Sequence, residues 1–183
     1  MTEQSKPSAL KGPVFERTPP GDDRPRLVCG DCGFVNYVNP RVVVGAVSHC
    51  NGKVLLARRA IEPRKDYWTI PAGFLEVGET LEAGAVRETW EEARARIEIE
   101  HLIGIYNIVV IGQIYIVFRA RMLSPEHAPG PESIETKLVA WDDVPWDSLA
   151  FPSVRWALSH DRENGGQAAP PLHGEPPSFH WER

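Results

Sequence analysis

The chain has 183 residues, a formal net charge of −5, 42% hydrophobic residues and 25% charged residues. This composition suits one soluble globular domain of ordinary size with tails; it needs no disulfide staples and offers no electrostatic case for nucleic acid or an anionic membrane as partner. Cys29, Cys32 and Cys50 form an odd set without a pairing framework, the first twelve residues hold no apolar signal core, and no apolar run is long enough to span a membrane, so a cytoplasmic protein is expected.

Residues 1–26 are rich in Pro, Gly and charge and read as an extended N-terminal arm. Residues 27–40 form a short knuckle around Cys29-Gly30-Asp31-Cys32-Gly33. The β-branched run 41–48 (RVVVGAVS) reads as a buried strand, His49-Cys50-Asn51-Gly52 as a turn signalled by Asn-Gly, and 53–58 as the returning strand. Residues 67–72 (YWTIPA) are a short extended stretch that Pro71 bars from being an ordinary central strand. Residues 80–93 carry helix-favouring Ala and Glu behind Thr80 as N-cap. Strands are expected at 97–108, 113–121 and 136–142, a turn-rich loop at 125–133, and a helix in the second half of 145–160. Residues 161–183 read as a Pro/Gly-rich tail. Strands, one acidic helix, more strands and a late helix point to a mixed sheet covered by helices, an α/β or α+β layered domain spanning 41–160.

The chemistry concentrates at 73–95 (GFLEVGETLEAGAVRETWEEARA). Glu88, Glu91 and Glu92 stand at i, i+3 and i+4, within roughly 100° of one helix face. Three like charges so close destabilise a bare helix. They are either a solvated acidic face or ligands for a hard divalent cation, which prefers oxygen donors.

Gly73, Glu79, Arg87-Glu88 and Glu91-Glu92 stand at the fixed spacing of the Nudix box, and the chain resembles the Nudix hydrolases there. It departs from the box at Thr89, where an aliphatic residue is expected, at Arg94, where glycine is expected, and mildly at Ala95. The likeness extends to 39–45, 55–59, 67–76, 112–115, 128–133 and 149–152, and is similar to a Nudix subgroup, the plant chloroplast-type FAD and ADP-ribose pyrophosphatases and their bacterial counterparts.

The resemblance implies a Nudix fold, an α/β/α sandwich, and hydrolysis of a diphosphate linked to another moiety. FAD or ADP-ribose would give AMP with FMN or ribose 5-phosphate; NADH and nucleotide sugars are the neighbouring options. It implies Mg²⁺, with Mn²⁺ as substitute, held by Glu88, Glu91 and Glu92 and by a backbone carbonyl at Ala72 or Gly73. Arg87 would orient a glutamate, Glu79 above all, with Gly78 shaping the turn before it. Catalytic roles fall to Glu88, Glu91 and Arg87, and to a further glutamate from the Pro-Gly loop, Glu132 or else Glu135. A small-molecule dinucleotide is the expected partner, and a homodimer is suggested by family analogy. The alternative from another class is a catalytically silent Nudix-fold nucleotide-binding or regulatory module, but such modules usually lose box glutamates and this chain keeps all four.

Trp68, Phe74, Tyr106, Gln113 and Tyr115 are candidates for nucleotide contact, with core packing as the equal alternative for the aromatics. Arg58 or Arg59 would meet a phosphate or else be a solvated strand-end residue. Cys29 and Cys32 resemble half a zinc ribbon, whose full site needs four ligands. The partner CxxC of relatives would fall near 11–17, which reads KGPVFER, so zinc is expected to be absent, with His49 and Cys50 the remaining donors across the hairpin. Arg94 stands where a helix would end left-handed; a side chain there costs on the order of 1 kcal/mol. It is not a metal-ligand position, so an effect on stability and not a loss of catalysis is expected.

Overall fold

The structure, a computed structural model, describes residues 12–165, 167 and 172–173. The chain divides into two compact units between Asn39 and Pro40. The first holds an antiparallel sheet of β1 (Pro13–Arg17), β2 (Arg26–Cys29) and β3 (Val35–Asn36), in that order. Part of the segment read as an extended arm is thus a paired strand, with Phe15 opposite Val28 and Arg17 opposite Arg26. PVFER carries no alternation strong enough to announce this; its partner strand supplies the hydrogen bonds. The Cys29–Gly33 knuckle closes with the Gly33 N–H on the Cys29 carbonyl at 3.0 Å.

The second unit contains β4 (Arg41–Cys50), β5 (Lys53–Arg59), β6 (Trp68–Thr69), β7 (Ala72–Phe74), α1 (Leu81–Ala93), β8 (Ile97–Ile108), β9 (Gln113–Met122), β10 (Ser133–Ala140), α2 (Pro152–Glu163) and β11 (Leu172–His173). Asn51 and Gly52 both have positive φ, as an Asn-Gly hairpin turn requires. The sheet runs β10-β5-β4-β9-β8-β11, with β6 on β5 and β7 on β4. It is mixed: β4 lies parallel to β9 from Arg41–Gln113 to His49–Arg121, and the other pairings among β4 to β10 are antiparallel. Alternation along the central strands supplies both faces. Val44, Ala46, Leu55 and Phe118 meet Ala85 and Ala93 of α1, while Val47, Leu56, Tyr106 and Val117 meet Val154, Ala157 and Leu158 of α2. The result is an α/β/α sandwich. No helix among the described residues is long and apolar enough to cross a membrane.

Three boundaries differ from the sequence reading. β4 runs on through His49 and Cys50, read as part of the turn, because they pair with Val54 and Lys53 of β5. β10 starts at Ser133, because 133–135 pair with β5 directly beyond the Pro-Gly loop. α2 opens at Pro152, a residue suited to the first helical turn, and runs through Asp161–Glu163, read as tail. The rest of that tail, apart from 164–165, 167 and 172–173, lies outside the described residues.

Asp161 explains the extension. It is buried, and its carboxylate meets Arg119 Nη1 at 2.7 Å and His49 Nε2 at 2.7 Å. Burial pushes Asp161 up, but the bonds from His49 and Arg119 outweigh it and leave the group below the usual aspartate range. A depressed carboxylate stabilises the fold above its unfolded value, and that contribution disappears as pH falls through the folded value. Asp161→Asn is therefore expected to cost about 3 kcal/mol near neutral pH, because it leaves Arg119 and His49 without their buried counter-charge. Denaturation with urea at pH 7 and again below pH 4 checks this; the gap between variant and parent should shrink in acid.

Candidate active site

α1 is capped by Thr80, whose side chain accepts the Ala83 N–H at 3.2 Å. The turn before it, with Gly78 at φ +94°, folds Glu79 back along the helix. Glu79 accepts the Glu76 N–H at 2.7 Å and a forked pair from Arg87 at 2.7 and 3.1 Å. The Arg87 guanidinium, helped by that amide, holds the Glu79 carboxyl down to about 2. Arg87 donates further to Glu88 at 2.6 Å, to Glu91 at 3.2 Å and to the Phe74 carbonyl at 2.9 Å. One guanidinium thus ties three carboxylates to the β7 backbone.

Glu88 and Glu92 are each only 8% exposed, while Glu91 lies on the open side. Glu92 accepts the Ala72 N–H at 3.1 Å. Burial raises Glu88, and it lifts Glu92 to about 8; Glu132 adds like-charge repulsion at both. Gly73 faces this pair: a Cβ there would overlap the Glu88 carboxylate. Thr89, which replaces an aliphatic residue of the box, is fully buried and donates its hydroxyl to the Ala85 carbonyl at 2.8 Å, so its polar atom is satisfied within the helix.

The far end of α1 is finished by the Pro-Gly loop. The Ala128 and Gly130 N–H groups donate to the Ala93 and Glu92 carbonyls at 3.0 and 2.9 Å, filling acceptors that a helix end leaves open. Gly130 lies so close that a Cβ would overlap the Glu91 carbonyl. The Glu132 carbonyl in turn accepts the Ala60 N–H at 2.8 Å, just past β5. Tied at both ends, the loop carries Glu132 into the same cavity as Glu88, Glu91 and Glu92. Glu135 pairs opposite Arg58 on β10 and does not line it.

That cavity has a volume of about 900 Å³. Phe74, Gln113 and Tyr115 line it, with Val43, Ile108 and Ile111 beside them. Phe74 is 46% exposed and lies under the Arg41 guanidinium at 5.0 Å. Tyr115 is buried, and its phenol is raised by that burial. Three sequence candidates fall elsewhere. Trp68 packs at the edge of the α2-side core and does not line the cavity. Tyr106 is fully buried, with its hydroxyl 2.9 Å from His160 Nδ1. Arg58 donates to the Asp66 carbonyl and carboxylate at 3.0 and 3.4 Å, away from the cavity. Neighbouring residues on a strand point to opposite faces, so it is Arg59 that lines the cavity. Arg59 donates Nε to the Pro63 carbonyl at 2.9 Å and lies over the Phe151 ring at 5.1 Å. Sequence reasoning did not single out Phe151, Ile61, Arg41 or the turn Val109–Ile111 beside the cavity; the likeness at 39–45 and 149–152 covered Arg41 and Phe151 without giving either a role.

Among the described residues, no three His, Cys, Asp or Glu side chains converge as a ready ligand set, since Glu88 is turned to Arg87 and Glu92 to Ala72. The donor chemistry nevertheless fits a hard cation. All four groups offer carboxylate oxygens, and Glu92 and Glu132 have no ion-pair partner among the described residues. Glu88 and Glu92 are raised chiefly by burial, with like-charge repulsion from neighbouring glutamates adding to it.

A two-helix α/β/α sandwich with this carboxylate-bearing helix defines a Nudix hydrolase fold, and the family model described as NUDIX domain matches residues 39–157. The chain belongs to the Nudix hydrolase family. A second model, described as Nudix N-terminal and of the zinc-ribbon type, matches residues 11–38. The chain is similar to a NUDIX hydrolase from Nitrosomonas europaea, at 42% identity and a TM-score of 0.82, covering 88% of this chain and 94% of that one. An ADP-ribose pyrophosphatase from Methanocaldococcus jannaschii is 31% identical over 134 residues, 71% of this chain and 78% of that protein. A MutT-like protein from Streptomyces ambofaciens is 36% identical over 99 residues, and the chain spans 54% of itself and 60% of that relative in the match.

The ribbon unit does not carry a full zinc ligand set. Residues 11–38 contain Cys29 and Cys32 but no other cysteine and no histidine. Phe15 lies against the knuckle so closely that a Cβ on Gly30 would collide with its ring. Cys29 is buried and its thiol is lowered by the backbone N–H groups of Cys32 and Asp31, while Cys32 is exposed.

A carboxyl raised on folding contributes stability below its unfolded value, and that contribution fades as pH rises towards the folded one. Without divalent cations the protein is therefore expected to lose stability between the ordinary glutamate range and about pH 8, where Glu92 ionises. Glu92→Gln should flatten that slope. Melting curves across pH in a chelating buffer check this, and parallel slopes for parent and variant would count against it.

Proposed function

We propose that the chain hydrolyses the diphosphate bond of a nucleoside diphosphate derivative, ADP-ribose or FAD, releasing AMP with ribose 5-phosphate or FMN. The observation that carries this reading is the convergence of Glu88, Glu91, Glu92 and Glu132 on one cavity whose walls also offer aromatic rings and guanidinium groups. Glu88, Glu91 and Glu92, with the backbone at Gly73, would hold Mg²⁺ or Mn²⁺, which supplies neutralisation of diphosphate charge and activation of water. Arg87 is a positioning residue: its bonds to Glu79, Glu88 and the Phe74 carbonyl fix the carboxylates against β7. Glu132 is the general base that takes the proton of the attacking water as a phosphorus–oxygen bond of the bridge breaks. Arg59 lies near enough to Glu92 to influence its ionisation, and only its Nε is bonded among the described contacts. Its remaining N–H groups serve the substrate phosphates. Phe74, Gln113 and Tyr115 form the wall for the nucleotide ring.

The similarity to an ADP-ribose pyrophosphatase supports the substrate class, and the large cavity accommodates the dinucleotide alternatives FAD and NADH. A panel of ADP-ribose, FAD, NADH and nucleotide sugars, assayed with Mg²⁺ or Mn²⁺, tests the reaction; no turnover of any member would refute it. With the best substrate, Glu88→Gln is expected to reduce kcat by at least a hundredfold, and Glu132→Gln at least tenfold with little change in KM. Near-parental turnover by Glu132→Gln would remove it as base.

The N-terminal unit is proposed to fold without zinc, since it lacks two of the four ligands such a site uses. Metal analysis of the purified protein should find zinc well below one equivalent. Stoichiometric zinc would overturn this reading.

A further inference from the structure

We propose that Arg94, at the box position where glycine is expected, contacts the anionic substrate at the open side of the cavity and strengthens its binding. The inference rests on the diphosphate-hydrolase reading for the identity of the anion.

Three observations converge on this residue. First, Arg94 occupies the left-handed region, with φ 50° and ψ 23°, and closes α1 through its N–H on the Trp90 carbonyl at 2.9 Å. A side chain in that conformation is strained, so its retention calls for an offsetting role. Secondly, Arg94 lines the cavity, as do Glu91 and Glu132. Thirdly, it forms no ion pair among the described residues, although it lines a cavity with six glutamates, Glu62, Glu76, Glu88, Glu91, Glu92 and Glu132. Its side chain has one long bond, Nη1 to the Trp90 carbonyl at 3.4 Å, and its guanidinium lies 5.6 Å from the Trp90 ring centre. Trp90 is 40% exposed and also carries Arg96, at 4.9 Å.

A guanidinium placed over an aromatic ring keeps its edge donors free, and those donors match a phosphate in forked geometry. Held by Trp90 and left without a carboxylate, Arg94 is available to the substrate diphosphate or to an acidic group beyond it. Arg96 shares the ring but does not line the cavity, so it is the internal control.

The test uses opposite signs. Arg94→Gly relieves the backbone strain and should raise the melting temperature by about 2–4 °C. At the same time it should raise KM for ADP-ribose about tenfold with kcat within twofold. A purely structural Arg94 would shift the melting temperature and leave KM alone, and that result would overturn the proposal. Arg94→Gln, which keeps the chain length without the charge, should raise KM similarly, Arg94→Lys less, and Arg96→Ala not at all. An equal rise in KM for Arg96→Ala would also overturn it, since it would make the effect one of general surface charge. A titration with α,β-methylene-ADP and Mg²⁺, which needs no turnover, separates this inference from the hydrolase reading. Arg94→Gln should weaken its Kd at least fivefold, and an unchanged Kd refutes the Arg94 contact even if ADP-ribose is hydrolysed. A weakened Kd in a protein that hydrolyses nothing would uphold the contact and refute the reaction.

Discussion

The burial of carboxylates on the inner side of α1 constrains everything around it. Glu92 is almost out of solvent, without an ion pair among the described residues, and within electrostatic reach of Glu88 and Glu132. Removing a charged group from water is expensive unless it is paired or neutralised, and protonation is the cheapest escape. A helix with no task beyond packing would place Ala or Leu at these positions, as α1 does at Ala85 and Ala93. The surroundings are arranged to tolerate the strain: Ala72 offers an N–H to Glu92, and Arg87 gathers Glu79, Glu88 and Glu91. Glu92 and Glu132 nevertheless have no ion-pair partner among the described residues, and this is the feature on which the proposed cation site rests.

Close approach of two backbones fixes where the carboxylates stand. Gly73 lets β7 pass over Glu88, and Gly130 lets the loop rest on the last turn of α1. At Gly73 a Cβ would displace the Glu88 carboxylate, whereas at Gly130 it would push the neighbouring element away by more than side-chain adjustment could absorb, since the obstacle there is the Glu91 carbonyl itself. The second contact also serves as a helix terminator. The loop's N–H groups take the carbonyls of Glu92 and Ala93, so the same bonds end the helix and locate Glu132. Helix end and proposed base are therefore mechanically one unit.

The chain made some of this legible and hid the rest for identifiable reasons. The α1 boundaries and the strand Ile97–Ile108 follow from local pattern, because amphipathic alternation and a capping threonine act within a few residues, whereas the α/β/α sandwich is implied by the likeness to the Nudix hydrolases. Fixed spacing along one helix brought out the glutamates. Glu132 could be singled out as a loop glutamate, but its tie to the helix end depends on contacts across some forty residues of sequence. Arg58 and Arg59 are indistinguishable by composition, and only the register of β5 against β6 and β10 decides which one faces the cavity. β1 escaped notice because its order comes from β2, and Asp161 escaped because its partners, His49 and Arg119, lie on distant strands.

The two sides of the sheet divide the work. On the α2 side, the buried Asp161 is fully matched by Arg119 and His49, and Arg119 also meets Glu100 at 3.0 Å, so that charge cluster is closed and serves packing. On the α1 side, carboxylates outnumber their bonded partners and the guanidiniums of Arg41, Arg59 and Arg94 rest on aromatic rings instead of carboxylates. Stacking a guanidinium on a ring holds it in place without consuming its hydrogen-bond donors, whereas an ion pair would consume them. The same residue types thus build a closed network on one side of β4 and an open one on the other. An open network of both signs is what a diphosphate bound through a cation requires, because its charge is then met from two directions without either set of groups first having to break a bond to the other.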